Sequence, residues 1–251
     1  MTDLSIHTRS NCHFLTNTPT LMACHYVVML QKKTHDSFGL IKERYDVKQS
    51  NINTKCNKIS KINSLLYRLK NILPEKTLLN IYNALIAPHL NYGIVAWGDS
   101  NRSQLKRLIV LQKKCIRNIC HSKFNAHTNP LFQKHKILKY QDLYKLNCCK
   151  LYYRSKTGTL PQYHTEKLPS ISLINPHLSR QSGNIYIRIT LNNIQRRLLN
   201  YKIGSEWNKL SNSMKTVSNV SLKLFTKKLK TIFIQSYHHS CTSRNCFSCL
   251  W

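Results

Sequence analysis

The sequence predicts a mainly α protein: a basic helical bundle over residues 51–160, followed by a small irregular α+β subdomain over 161–237. Three observations predict it. From Asn57 onward, apolar residues recur at helical spacing rather than in alternation. Prolines and glycines punctuate those stretches, at Pro74, Pro88, Gly93, Gly98 and Gly158, where a succession of helices needs stops and starts. With 41% apolar residues in 251, the chain can bury a core, which argues against wholesale disorder despite a formal charge of +30.

The elements follow in order. Ile59, Ile62, Leu65, Leu66, Leu69, Ile72 and Leu73 mark one apolar stripe, with Lys61, Arg68 and Lys70 beside it, and Pro74 stops that helix. Glu75 to about Ala87 repeats the pattern with Leu78, Leu79, Tyr82, Leu85 and Ile86 and ends at Pro88, so the two helices are expected to pair as an antiparallel hairpin. A third helix, Gln104 to Cys120, is expected after the turn at Gly93 and Gly98, capped by Ser103 or a neighbour. Two more should span Pro130–Lys139 and Gln141–Lys156, the latter closed by Gly158. Residues 160–183 read as irregular, Ile185–Ile189 as a short strand, and Gln195–Ile203 as strand or helix. A last amphipathic helix, Ser221 to Tyr237, sets Leu222, Phe225, Leu229 and Phe233 against Lys223, Lys227, Lys228 and Lys230. Residues 1–50 show weak periodicity and read as a poorly defined leader.

Charge is distributed unevenly over this frame. The 39 basic and 9 acidic residues give +2 for residues 1–50, +17 for 51–160 and +11 for 161–251. A Lys-, Asn- and Ile-rich composition suits an AT-rich genome, but that bias does not remove acids, so a polyanionic partner is expected. On the third helix, at about 100° per residue, Lys106, Arg107, Lys113, Lys114 and Arg117 fall within an arc of about 120° with no acid among them. Leu105, Leu108, Ile109, Cys115, Ile116 and Ile119 occupy the opposite arc. Such a ridge suits a row of phosphates; an ordinary solvated face mixes both signs. Tyr140, Tyr144, Tyr152 and Tyr153 sit at spacings more typical of core than of base stacking.

Ten cysteines at irregular spacing read as small buried apolar residues or a partial metal site, not as a disulfide framework. The tail carries the metal candidates: Cys246 and Cys249 form a C-x₂-C pair, with Cys241 and His239 nearby, against the alternative of an incidental cysteine-rich tail. The longest apolar stretch is half a membrane span and no signal segment follows Met1, so a soluble intracellular protein, cytoplasmic or nuclear, is expected.

The order of motifs then resembles a known family. Lys58–Lys61, Arg68 to Pro74, Ile81-Tyr-Asn83, Pro88-His-Leu-Asn-Tyr-Gly93 and Trp97-Gly98 resemble the segment after the palm in non-LTR (LINE, jockey-like) retrotransposon reverse transcriptases. The likeness continues through Leu111-Gln-Lys-Lys114, Arg117, His127 to Phe132, Leu160-Pro161, His177, Arg180, Trp207-Asn208 and Leu224 to Lys227. It implies a thumb and C-terminal extension that grip RNA and DNA, with Lys61, Arg68 and Lys70 joining the basic ridge. Trp97, Trp207 and Tyr92 are stacking candidates, though subdomain anchors are the commoner use of such residues. The family enzyme would need Mg²⁺ held by palm aspartates. This chain has no Asp-Asp pair, so by itself it is expected to be inert and to need no cofactor, with the palm and fingers of a parent polymerase as a candidate partner. The leader lacks the strand expected before the matched region, which suggests truncation, a frameshift or unrelated sequence. Two other readings stay open: a retained stand-alone nucleic-acid-binding protein, or a degenerate element-derived reading frame.

Overall fold

The first helix of the computed structural model, α1, runs from Phe38 to Leu69, through the leader boundary expected at residue 50. The structure describes residues 38–161, 166–175, 181–188, 196, 198–215 and 221–237, with side chains from residue 46. α1 buries Ile52, Cys56, Ile59 and Leu66, a stripe in steps of four, three and seven residues. The expected stripe was broader. Leu65 is exposed, and so is Ile72, because α1 ends at Leu69 and leaves Ile72 in the turn.

Pro74 starts α2 (Glu75–Ile81), as its fixed φ favours. The chain does not stop at Pro88. A π-helical turn over Tyr82–Ile86 precedes α3 (Ala87–Asn91), and the Ala87 N–H donates to the Tyr82 carbonyl five residues back. In a continuous α-helix the Pro88 ring would meet the Ala84 carbonyl, and widening the helix by one residue relieves that clash. Gly93, at φ +63°, turns the chain into α4 (Ile94–Trp97).

α5 (Arg102–Ile119) buries Leu105, Leu108, Cys115, Ile116 and Ile119 and packs most extensively against α1. The expected antiparallel return forms as well, but α1 meets it at the π turn, α3 and α4 more than at α2, and Lys55 Nζ reaches the His89 and Tyr92 carbonyls there. Arg107 donates to Asn57 Oδ1 at 3.1 Å and Asn118 to Asn63 Oδ1 at 2.9 Å, so α1 and α5 run in the same direction, joined by the returning α2–α4 segment. α6 (Asn129–Lys134) is shorter than expected, and α7 (Tyr140–Lys156) ends at Gly158 with φ +68°.

The C-terminal part wraps α7. α8 (Ile171–Ile174) and α10 (Asn212–Lys215) are short, while α9 (Leu199–Asn208) and α11 (Leu222–Gln235) both pack on α7. Ser221 caps α11 by accepting from the Leu224 N–H. The ambiguous stretch is therefore helical from Leu199. The expected strand is, among the described residues, one isolated bridge between Ser170 and Ile185. The Asn208 amide takes the place of a partner strand: it donates to the Ile185 carbonyl at 3.0 Å and accepts from its N–H at 2.8 Å. Buried residues from α1 through Tyr237 form one continuous cluster, and the protein is mainly α.

No described helix is long and apolar enough to cross a membrane. Cys56, Cys115, Cys120, Cys148 and Cys149 are free thiols, all but Cys120 buried. Burial pushes the Cys115 and Cys148 thiols up to about 12, as befits core residues.

Candidate nucleic-acid interface

The basic ridge expected on α5 is divided by the packing of its neighbours. Lys114 and Arg117 face α1. There they line, with Arg68, Lys70, Asn63 and Ser64, a groove of about 630 Å³ that also takes in Ser122 and Phe124 of the following loop. Arg117 is half-buried and its Nε donates to the Ala126 carbonyl at 2.9 Å, which ties the loop to the helix. Lys106 and Lys113 open onto an adjacent cavity of about 410 Å³ with Arg102, Lys139, Phe132 and Tyr140.

Lys113 is only 5% exposed, so it belongs to the wall of that second cavity and not to an exposed ridge. A ridge computed at constant angle assumes bare sides, whereas here the α6–α7 connection covers one of them. Arg107 is exposed and held by Asn57 of α1. Lys61 is exposed on α1 outside the groove lining. Arg68, Lys70, Lys114 and Arg117 are thus brought together, and Lys61, Lys106, Arg107 and Lys113 are not.

The aromatic expectations sort equally clearly. Trp97 and Trp207 are buried: Trp207 packs on Tyr152 at 4.5 Å between ring centroids, and Trp97 on Tyr140 at 5.8 Å. Tyr144 and Tyr153 are core as well. Tyr92 is half-exposed, beside the Lys55 ammonium.

The exposed aromatics that matter were missed. Tyr67 and Phe124, 60% and 88% exposed, line the basic groove from α1 and from the loop. Lys70 Nζ lies 4.4 Å from the centre of the Tyr67 ring. One signal was available, since Phe124 stands alone in a polar loop where no core position is expected. Cations and unpacked rings around one groove can hold sugar-phosphate oxygens while stacking on bases.

Gln112 also went unremarked. It is buried, donates to Tyr82 Oη at 3.1 Å and the Leu138 carbonyl at 3.0 Å, and accepts from the Tyr140 N–H at 2.9 Å. It thereby fixes α5 against the π turn and the start of α7. The tail candidates His239, Cys241, Cys246 and Cys249 lie outside the described residues.

No protein-family model matches the chain, and no solved structure does. Over 97 residues, 39% of its length, the chain is 28% identical to the RNA-directed DNA polymerase from mobile element jockey of Drosophila melanogaster, and the match spans 10% of that polymerase. The similarity fits a chain derived from a retrotransposon.

Proposed function

We propose, from this relation to a mobile-element polymerase, that the chain is the part of a reverse transcriptase that follows the palm, and that it holds RNA and DNA by their backbones without performing catalysis. The observation that carries the reading is the groove between α1 and α5, where Arg68, Lys70, Lys114 and Arg117 converge beside exposed Tyr67 and Phe124. An A-form or hybrid duplex is gripped through phosphates and shape, since side chains do not read its deep, narrow major groove. The cations would replace condensed counterions along one strand, and the two rings would stack on bases at an unpaired end. The palm and fingers of a parent polymerase are the protein partner this reading implies.

The Mg²⁺ pair of the family enzyme does not fit the donors described. Glu75, Asp142, Asp99 and Glu206 are separately paired with Lys134, Lys145, Lys202 and Lys209, and no cluster of carboxylates forms among the described residues. A two-metal site needs several carboxylates facing one another.

The test is binding to an RNA–DNA hybrid with a single-stranded overhang across a salt series. Kd is expected at about 10⁻⁶–10⁻⁴ M near physiological salt. Replacing Arg68, Lys70, Lys114 and Arg117 by Gln should flatten the log–log salt slope by about 3 units, at 0.7–0.9 per phosphate contact. The same change at Lys223, Lys227, Lys228 and Lys230 of α11 should flatten it far less. Equal effects would mean that total charge, not the groove, binds. Tyr67→Ala with Phe124→Ala should weaken overhang binding by about 1–3 kcal/mol per base while leaving the slope unchanged.

A further inference from the structure

Glu75, Cys120 and His135 come from three separate elements, and their donor atoms all lie within 4.8 Å of one another. Cys120 is the C-cap of α5 and His135 the C-cap of α6, while Glu75 opens α2. Both caps are followed by a non-glycine residue in the left-handed region, His121 at φ 51° and Lys136 at φ 52°. The two helices therefore stop in the same manner, and the side chains of their last residues meet beside Glu75.

Cys120 is a free thiol, and Glu75 is shared between His135 and Lys134. The His135 side chain is 9% exposed, and its Nε2 lies 2.6 Å from Glu75 Oε1, an imidazole–carboxylate contact that a metal ion could bridge instead. Lys134 pairs with the same carboxylate at 2.6 Å, but from a side chain that is 59% exposed and free to swing into solvent.

The geometry points to a zinc-type site formed by Cys120 Sγ, His135 Nε2 and the Glu75 carboxylate, with water in the fourth position. Thiolate, imidazole and carboxylate are the donor set of a borderline-soft ion, and the thiolate discriminates against Mg²⁺ and Ca²⁺. Tetrahedral bonds of about 2.0–2.3 Å would hold these donors roughly 3.3–3.7 Å apart, within reach of small side-chain rotations. Such an ion would clamp α2, α5 and α6 together and brace the 121–128 loop that carries Phe124. The inference does not rest on nucleic-acid binding, because its readout is the metal alone.

The experiment uses the full chain with Cys241, Cys246 and Cys249 replaced by Ser, so that the tail does not compete, and titrates Zn²⁺ against a chromophoric chelator. One Zn²⁺ per chain is expected at micromolar metal. Changes behind a ligand already cost about 10–100-fold in metal affinity, so Cys120→Ser and His135→Asn should each cost at least about tenfold. Lys134→Gln sits on the surface, leaves packing intact, and should tighten binding several-fold by removing the competing ammonium. No retained Zn²⁺, or Zn²⁺ retained equally by Cys120→Ser and His135→Asn, would overturn the site. If either of those variants fails to fold, as circular dichroism would report, an affinity unchanged by Lys134→Gln would leave only an ion pair there.

Discussion

Lys55 shows how far a single residue can depart from what its type suggests. It lies on α1 and is 6% exposed, with its Nζ 3.0 Å from the His89 carbonyl and 3.2 Å from the Tyr92 carbonyl, over the Trp97 ring at 4.8 Å. It therefore closes the C-terminal end of α3, where carbonyls lack helical partners. Burial, with the Lys58 charge adding to it, pulls its pKa from 10.5 to about 8. Across that window the unfolded chain keeps a proton that the folded chain has released, so this group makes stability rise with pH. Lys55→Met should cost about 1–3 kcal/mol at pH 7 through the carbonyls left without a donor. The gap to the parent, followed by urea melts, should widen from pH 8 to 10; a constant gap would show that the site does not titrate there. Nothing in the sequence separates this lysine from Lys58 or Lys61, because the distinction comes from residues more than thirty positions away.

At the scale of elements, helix existence was legible and helix partnership only in part. α5, α7 and α11 lie within about two residues of their expected bounds because amphipathic spacing, Gly158 and Ser221 mark them locally. α1 packs on the returning segment, which the π turn carries through Pro88, and packs more extensively still on α5, a partnership between distant stretches that local spacing does not mark. Gly98 is the tightest point of this return. A Cβ there would press on the Ile94 carbonyl and sit 2.6 Å from Tyr144 Cδ2, while the Gly98 carbonyl accepts from Tyr140 Oη at 3.0 Å. Gly98→Ala is accordingly expected to destabilise by about 1–3 kcal/mol as α7 is pushed outward. A denaturation midpoint equal to that of the parent would show that α4 yields instead.

For the whole molecule the informative quantity is the ratio of cations to acids. With 9 carboxylates against 39 basic side chains, the described acids are each taken by a lysine or stand apart. Among the described residues no group of carboxylates comes together of the kind that two-Mg²⁺ phosphoryl transfer uses. The purified chain, given an RNA template, a primer and Mg²⁺, is expected to extend no primer; measurable DNA synthesis would refute the division of labour proposed above. The same ratio leaves the groove cations without acidic competitors among their lining residues, which is what a phosphate site needs.

The sequence by itself determined the mainly α class, the succession of helices and the excess of positive charge, because periodicity, punctuation and composition are properties of neighbouring residues. Only the tertiary structure decided which cations meet. The ridge inferred on α5 divides between two cavities because its flanks are covered, Lys113 is withdrawn from solvent, and Arg68 and Lys70 join from α1. It also decided that Tyr67 and Phe124 face the groove and that Glu75, Cys120 and His135 meet at helix ends. Those juxtapositions depend on long-range packing, which sets the distance between residues that local spacing leaves unrelated.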